Sequence, residues 1–533
     1  MSVHSLPARP DLDQLRRRAK ELRSAAREGV PDALARFAAH RPAGAPVTLA
    51  AAQLVVAREH GFASWPQLKA AVEEHRMSRE QKARALVVAS VSGRMDRARR
   101  LVDADPSLAT DDVWTAAALG EAAHVRALLA RDPTSAIEPD PESGWTPLLV
   151  ACNSRWHVID PGRGAGLREV AELLLDAGAS PDTSVGRVPE LGHCSALYAA
   201  AGLANHPQLA GLLLTRGADP DTPAALYHTA FLRDHVCLRL LLDHGARAEG
   251  ADALAAAISV DDAEAVRLLL DAGVDAAVRL PAQALGESYA PEPAIGAVRA
   301  AVELQCGIEL VALLLERGAD PDAPGQDGQS AFRLAVRQGR TEVVDLLRAH
   351  GARDDATDVD RFLDACVRAD RPAAEQHLAR CPGLLGGLTE LDHRAIAHAA
   401  DHGDLPAVAL MLDLGFPLDA PVGDDGASPL HAAAGAGAAE LVAFLIGRGA
   451  GIEAKDTTWA ATPLCWATVG SGLGLGHHPR ADWVSTVQTL ITAGASTQGV
   501  WVAGKPPSDE VAAVLATHGV RPPVDDDDDE DQG

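Results

Sequence analysis

The sequence predicts an all-α fold, an α-solenoid of stacked helix-turn-helix repeats with short hairpin fingers and an N-terminal helical cap. Three observations predict it. The 533 residues are too many for one compact core. The apolar fraction of 47% is carried by Ala and Leu with only 3% aromatic residues, a composition suited to thin layers of close-packed helices. Finally, one short phrase recurs along most of the chain.

That phrase is three or four apolar residues, two polar ones and a glycine. It ends at Gly178, Gly217, Gly245, Gly273, Gly318, Gly351, Gly415, Gly449 and Gly494, and Cys381-Pro382 fills the slot missing between Gly351 and Gly415. Upstream, Asp105-Pro106 and Asp132-Pro133 hold the same slot and add two units. Each phrase reads as a helix ending. The leucines form one apolar stripe, and the glycine supplies the left-handed residue that a helix C-terminus often needs. Asp-Pro stops a helix because proline lacks the amide donor and keeps the preceding residue out of helical geometry. About ten residues later a second signature opens another helix, as at Thr146-Pro147, Ser428-Pro429 and Thr462-Pro463. The hydroxyl caps free amides, and proline suits the first helical position. Each unit is therefore turn, helix, short loop, helix. Units such as Ala224–Gly245 and Ala251–Gly273 lack the Thr-Pro start, which leaves their register open.

These residues resemble the ankyrin repeat. Ser428-Pro429-Leu430-His431-Ala432-Ala433 followed by Leu441 to Gly449 is close to that family's full pattern, and Gly-Ala-Asp-Pro-Asp at Gly217 and Gly318 is similar to its hairpin turn. The resemblance implies about twelve units over residues 79–519 and a structural His431 that bonds backbone groups of its own turn and the next. Residues 1–78 read as a helical leader with a stripe at Leu12, Leu15, Ala19 and Leu22, and a helix start at Ser64-Trp65-Pro66-Gln67. The segment around Trp65 resembles a leader found on some bacterial multi-ankyrin proteins. Two readings of it stay open: a cap that hides the apolar face of the first repeat, and a separate basic docking module.

Charge narrows the partners. The net charge is −26, yet residues 1–82 hold 14 Lys+Arg against 9 Asp+Glu, so the rest carries −31. Such an acidic body argues against nucleic acid, whose binding needs clustered Lys and Arg. No stretch reaches the roughly 18 apolar residues of a membrane span, and Met1–Gln14 lacks the core of a secretory signal, so the chain is expected to be cytoplasmic, with no membrane partner. Seven cysteines without a CxxC pair read as reduced core thiols. The run Asp525–Asp531 repels itself, so residues 520–533 read as a disordered acidic tail or a segment that folds back on a basic surface.

Four insertions lengthen particular loops. Two fall between paired helices, at Arg155–Gly166 and Val469–Asp482; two fall in fingers, at Thr183–Gly192 and Leu280–Pro293. Gly162, Gly164 and Gly166 read as a loop before a helix N-terminus, flexible or able to hold an anion. His477-His478 invites a metal reading that no nearby residues complete, and no nucleophile motif is present. No cofactor, metal or catalytic residue is therefore expected, and the chain is read as a non-enzymatic, monomeric scaffold that binds a protein, a basic one by charge, on the concave face of the repeats. Residues expected there are Trp145, Asn153, Tyr198, Arg337, Gln338, Trp459 and Trp466. Four of eight tryptophans, Trp459, Trp466, Trp483 and Trp501, crowd the C-terminal units, as a contact region or as a seal on the last repeat. Alternatives are a regulatory subunit that occludes an enzyme, or a small-molecule or metal site in the inserted loops.

Overall fold

A computed structural model describes residues 10–520 apart from 41–46, 63, 189–191, 223, 248–250, 281–294, 326–327, 421–425, 474–480, 501, 503–504 and 506. The acidic run, Trp501, His477-His478 and nearly all of the Leu280–Pro293 insertion lie outside the described residues. The chain is an all-α stack of helix pairs that divides into two compact units. One holds residues 1–257 and 271–274, the other 258–270 and 275–533.

The first unit begins with α1 (Leu12–Arg27), α2 (Pro31–His40), α3 (Leu49–Glu59) and α4 (Trp65–Arg76), whose caps are Asp11, Thr48 and Ser64 for α1, α3 and α4. Their buried residues, Leu15, Leu22, Phe37, Val55, Leu68 and Val72 among them, form a core of their own. Glu74 of α4, almost fully buried, bonds Arg97 at 2.8 Å in the following helix pair. A second core then runs from Ala83 to Ala246, with Leu and Ala stripes from successive helices. Asp105 and Asp132 do more than stop the preceding helices: each carboxylate accepts from an amide of the short 3-10 turn that follows.

Gly162, Gly164 and Gly166 do not form a loop. They lie inside the helix Pro161–Asp176, preceded by the short helix Trp156–Ile159. Asp160 caps it and accepts from the amides of Gly162 and Arg163, so the donors an anion would use are already bonded to a carboxylate. The glycines serve close approach instead. A Cβ at Gly166 would fall 2.3 Å from the Gly120 carbonyl oxygen, and one at Gly164 would fall 2.9 Å from the His157 Cβ. The Thr183–Gly192 insertion extends a finger into an antiparallel pair, β1 (Ser184–Val188) with β2 (Gly192–Ser195).

The second unit carries the corresponding finger pair β3 (Arg279–Leu280) and β4 (Ile295–Gly296), and a core running from Phe362 to Leu515. The Val469–Asp482 insertion is partly helical as well, since the helix Pro463–Leu473 has eleven residues against seven in Pro429–Gly435. Gly470 repeats the close approach, with a Cβ position 2.3 Å from the Gly435 oxygen. The repeat-ending glycines, from Gly178 and Gly217 to Gly449 and Gly494, all sit at φ between +86 and +103°. Six cysteines are buried; Cys381, half-buried, faces the Asp358 carboxylate at 3.4 Å. Burial pushes the thiols of Cys237, Cys306 and Cys366 up to about 12, which keeps them protonated and inert.

Candidate functional site

Among the described residues, the finger that precedes Thr462 presents the most exposed Trp, Tyr or Phe side chain. Its turn is built by Asp456, whose Oδ1 accepts from the amides of Thr458 (3.1 Å) and Trp459 (2.6 Å) while its own amide donates to the Ala461 carbonyl. Oδ2 accepts from the Trp466 indole at 2.9 Å. Burial alone would raise the Asp456 carboxyl; the indole and the two amides outweigh it and hold the group below its ordinary value. Trp466 in turn lies edge-on to His431, with ring centres 5.8 Å apart. Trp459 meets Trp466 edge-on at 6.1 Å and remains 63% exposed, rimmed by exposed Lys455, Thr457, Thr458 and Ala460. An aromatic ring held by a pinned turn loses little freedom on binding, and that suits a contact residue.

His431 organises the base of this finger. Its Nδ1 accepts from the Ser428 amide at 3.0 Å, so Nε2 carries the proton and donates to the carbonyls of Ala454 (3.1 Å) and Ala461 (3.2 Å). Pro429 and Pro463 sit in the first turns of their helices, and Thr462 accepts from the Cys465 amide. The same turn appears in the first unit, where Asp140 accepts from Glu142 and Ser143, and Gly144 (φ +73°) precedes Trp145, Thr146 and Pro147. There Ser143 stands where Trp459 stands, and Gly144 where Ala460 is held at φ +50°.

The other expected contact residues are placed differently. Trp145 is half-buried, and its carbonyl accepts from the Trp114 indole. Asn153 and Tyr198 are both 2% exposed, Asn153 bonding the Leu149 carbonyl and Tyr198 packing against His228. Both are corrections: they sit on first-helix positions covered by the next helix pair. Arg337 is corrected too, because its guanidinium bonds Asp360 at 3.0 Å and Asp392 at 2.7 Å. Gln338 is half-buried, with an Oε1 that has no partner among the described residues.

Two devices were missed in the sequence. The third residue of a first helix, where His431 stands, is Arg333 after Ser330, Asp360 after Thr357 and Asp392 after Thr389; Arg333 and Arg337 bond Asp360, and Arg337 reaches Asp392. Burial would raise these two carboxyls, but the arginines, together with the Thr357 and Thr389 caps, lower both. Fingers are also stitched to one another. The acid four residues past a repeat-ending glycine accepts an amide two residues past the next one: Asp182 from Asp219, Asp221 from Arg247, Asp322 from Arg353 and Glu453 from Ser496. That regular spacing was the available signal.

Among the described residues no group of three or more His, Cys, Asp or Glu is placed to hold a metal, and no helix is long and apolar enough to cross a membrane. Family models described as ankyrin repeats (3 copies) and ankyrin repeats (many copies) match residues 195–279 and residues 298–348 with 393–446. The phosphocholine transferase AnkX of Legionella pneumophila is 29% identical over 137 residues; these are 25% of this chain and 13% of that relative, so the chain spans a small part of its length. The human ASB11 ankyrin repeat domain is a solved structure similar at 20% identity over 46% of this chain and 98% of that domain, with a TM-score of 0.22.

Proposed function

We propose that this chain, an ankyrin-repeat protein by its matches over residues 195–279, 298–348 and 393–446, binds another protein through the finger that carries Trp459. Ankyrin repeats mediate protein–protein interaction, and the observation that singles out this finger is the 63% exposed Trp459 on a turn pinned by buried Asp456. Tryptophan is enriched among residues that dominate binding energy, and the polar rim is the surrounding such a residue has at interfaces. Trp466 supports this contact from below: its indole is committed to Asp456.

In this reading the role is that of a scaffold without catalysis. The transferase activity named for AnkX is left with that protein, since the match covers 13% of it. Residues 1–78 act as an end cap joined through Glu74 and Arg97, residues 79–519 carry the repeats, and the body's negative charge favours a basic partner. The test is photo-cross-linking in lysate of the native cell with a photoreactive aromatic residue at position 459 or at exposed Ile137 as control. A discrete adduct from position 459, absent from position 137, supports the reading. Equal or no adducts from the two positions count against it.

A further inference from the structure

The first helix carries a second surface that the repeats do not explain. Arg16, Lys20, Arg23 and Arg27 recur at intervals of four, three and four residues on α1, beside the buried stripe Leu15, Ala19, Leu22 and Ala26. Lys20 and Arg27 are exposed, and Arg23 is half-buried. Among the described residues no carboxylate pairs with Lys20, Arg23 or Arg27; Arg27 spends one donor on the Val47 carbonyl, and Arg16 meets the exposed Asp13 at 3.3 Å. Lys20, Arg23 and Arg27 on one helix face repel one another unless something anionic lies along them. Two other charged groups of the leader are neutralised, Arg36 by a two-pronged bond to Glu59 and Glu74 by a bond to Arg97 of the next helix pair.

We infer that this stripe is a docking site for an extended acidic peptide of a partner protein. The dimensions agree with that occupant. Eleven residues of helix rise about 16 Å, which is the span of about five extended residues. Alternate side chains of an extended peptide stand about 6.6 Å apart on one face, against helical rises of about 6, 4.5 and 6 Å between successive cations of the stripe. Acidic residues at every second position can therefore each meet a cation. A short acidic peptide also fits the charge of the whole chain better than nucleic acid or an anionic membrane does. Residues beyond 82 carry −31, and that field opposes a long polyanion or a charged bilayer more than a segment a few residues long. The inference is independent of the Trp459 finger.

The test uses the full chain with Asp525–Asp529 and Asp531 changed to Asn and Glu530 to Gln, so that its own acidic run cannot compete. The probe is a labelled peptide with the sequence of residues 525–532, followed by fluorescence anisotropy. Binding is expected at 50 mM salt and should weaken about tenfold at 300 mM, as exposed charge contacts are screened. Lys20→Gln with Arg23→Gln should weaken it about tenfold, and adding Arg16→Gln and Arg27→Gln should abolish it, with unchanged circular dichroism since glutamine keeps helix propensity. Lys69→Gln, in α4, should leave it unchanged. No peptide binding, binding that survives the fourfold variant, or tighter binding to phosphatidylserine vesicles or to a single-stranded oligonucleotide would each overturn the inference.

Discussion

The two compact units join their successive first helices by different chemistry. In the first unit the joints around the Arg155–Gly166 insertion are mostly neutral: the Trp156 indole donates to Ser90 Oγ at 2.9 Å, Ser154 Oγ donates to the Ala118 carbonyl at 2.6 Å, and Gly166 lets two backbones touch. In the second unit Arg333 and Arg337 bond Asp360 and Asp392, with the Asp360 side chain fully buried. The same helix-pair scaffold is thus held mainly by shape and neutral hydrogen bonds in one stretch, where the Arg163–Glu121 pair is partly exposed, and by a buried charge ladder in another. Repeats that look degenerate in sequence are therefore not loosely joined; they have exchanged the His431 type of joint for one with its own response to pH and substitution.

The largest effect expected is at the ladder. Asp360→Asn removes the charge that two arginines share, and breaking a buried pair costs about 3 kcal/mol. In a repeat stack the loss should appear locally. Hydrogen exchange should quicken over residues 331–367 and stay unchanged over residues 147–176; a uniform change would remove the distinction between the units. Next is Gly166→Ala, which forces a Cβ against the Gly120 carbonyl and should cost about 2 kcal/mol, with faster exchange confined to the first unit. Unchanged exchange would show that the close approach is not needed.

Acid should separate the units without substitution. His157 and His206 lie with ring centres 4.5 Å apart, and burial first, then each other's neighbourhood, lowers His206 to about 4. A histidine held neutral in the fold and protonated in the unfolded chain stabilises above its ordinary value near 6.5, and that contribution is lost as pH falls toward the folded value. The loss around Trp156–Asp176 should reach about 2 kcal/mol by pH 4, allowing for solvent screening. The lowered carboxyls of Asp360 and Asp392 stabilise above their ordinary value of about 3.9, and lose that contribution only below it. Exchange corrected for intrinsic rates should therefore rise between pH 6.5 and 4 around the histidine pair and stay flat over residues 331–348, the helix that carries Arg333 and Arg337 and most of the helix after it. The reverse order would contradict both assignments. The smallest effect is at Ala460→Gly, where a left-handed residue gains the conformational freedom it needs and the finger should stabilise by about 0.5 kcal/mol.

Much of the helix layout was legible because the signals are local. A leucine stripe followed by glycine marks one helix end, and Thr-Pro marks the next start, so the nine glycines and His431 could be placed without the fold. The glycines at 162, 164 and 166 misled for the same reason. Locally they suggest a loop, whereas their need for glycine comes from Gly120 and His157 across the stack. Asn153, Tyr198 and Arg337 were misplaced because exposure of a first-helix residue depends on the neighbouring helix pair, which no single repeat encodes. Trp459 and Trp466 show the limit most clearly: seven residues apart and alike in sequence, one is exposed and the other is bonded to Asp456.

That pair also gives the decisive measurement. Trp459→Ala removes an exposed ring and should leave the melting temperature unchanged, while Trp466→Ala takes the donor from buried Asp456 Oδ2 and should lower it. With the partner identified by cross-linking, affinity is measured for both variants. A loss of at least tenfold for Trp459→Ala at unchanged melting temperature is the predicted result. Unchanged affinity for Trp459→Ala would contradict the assignment of this finger as the binding surface.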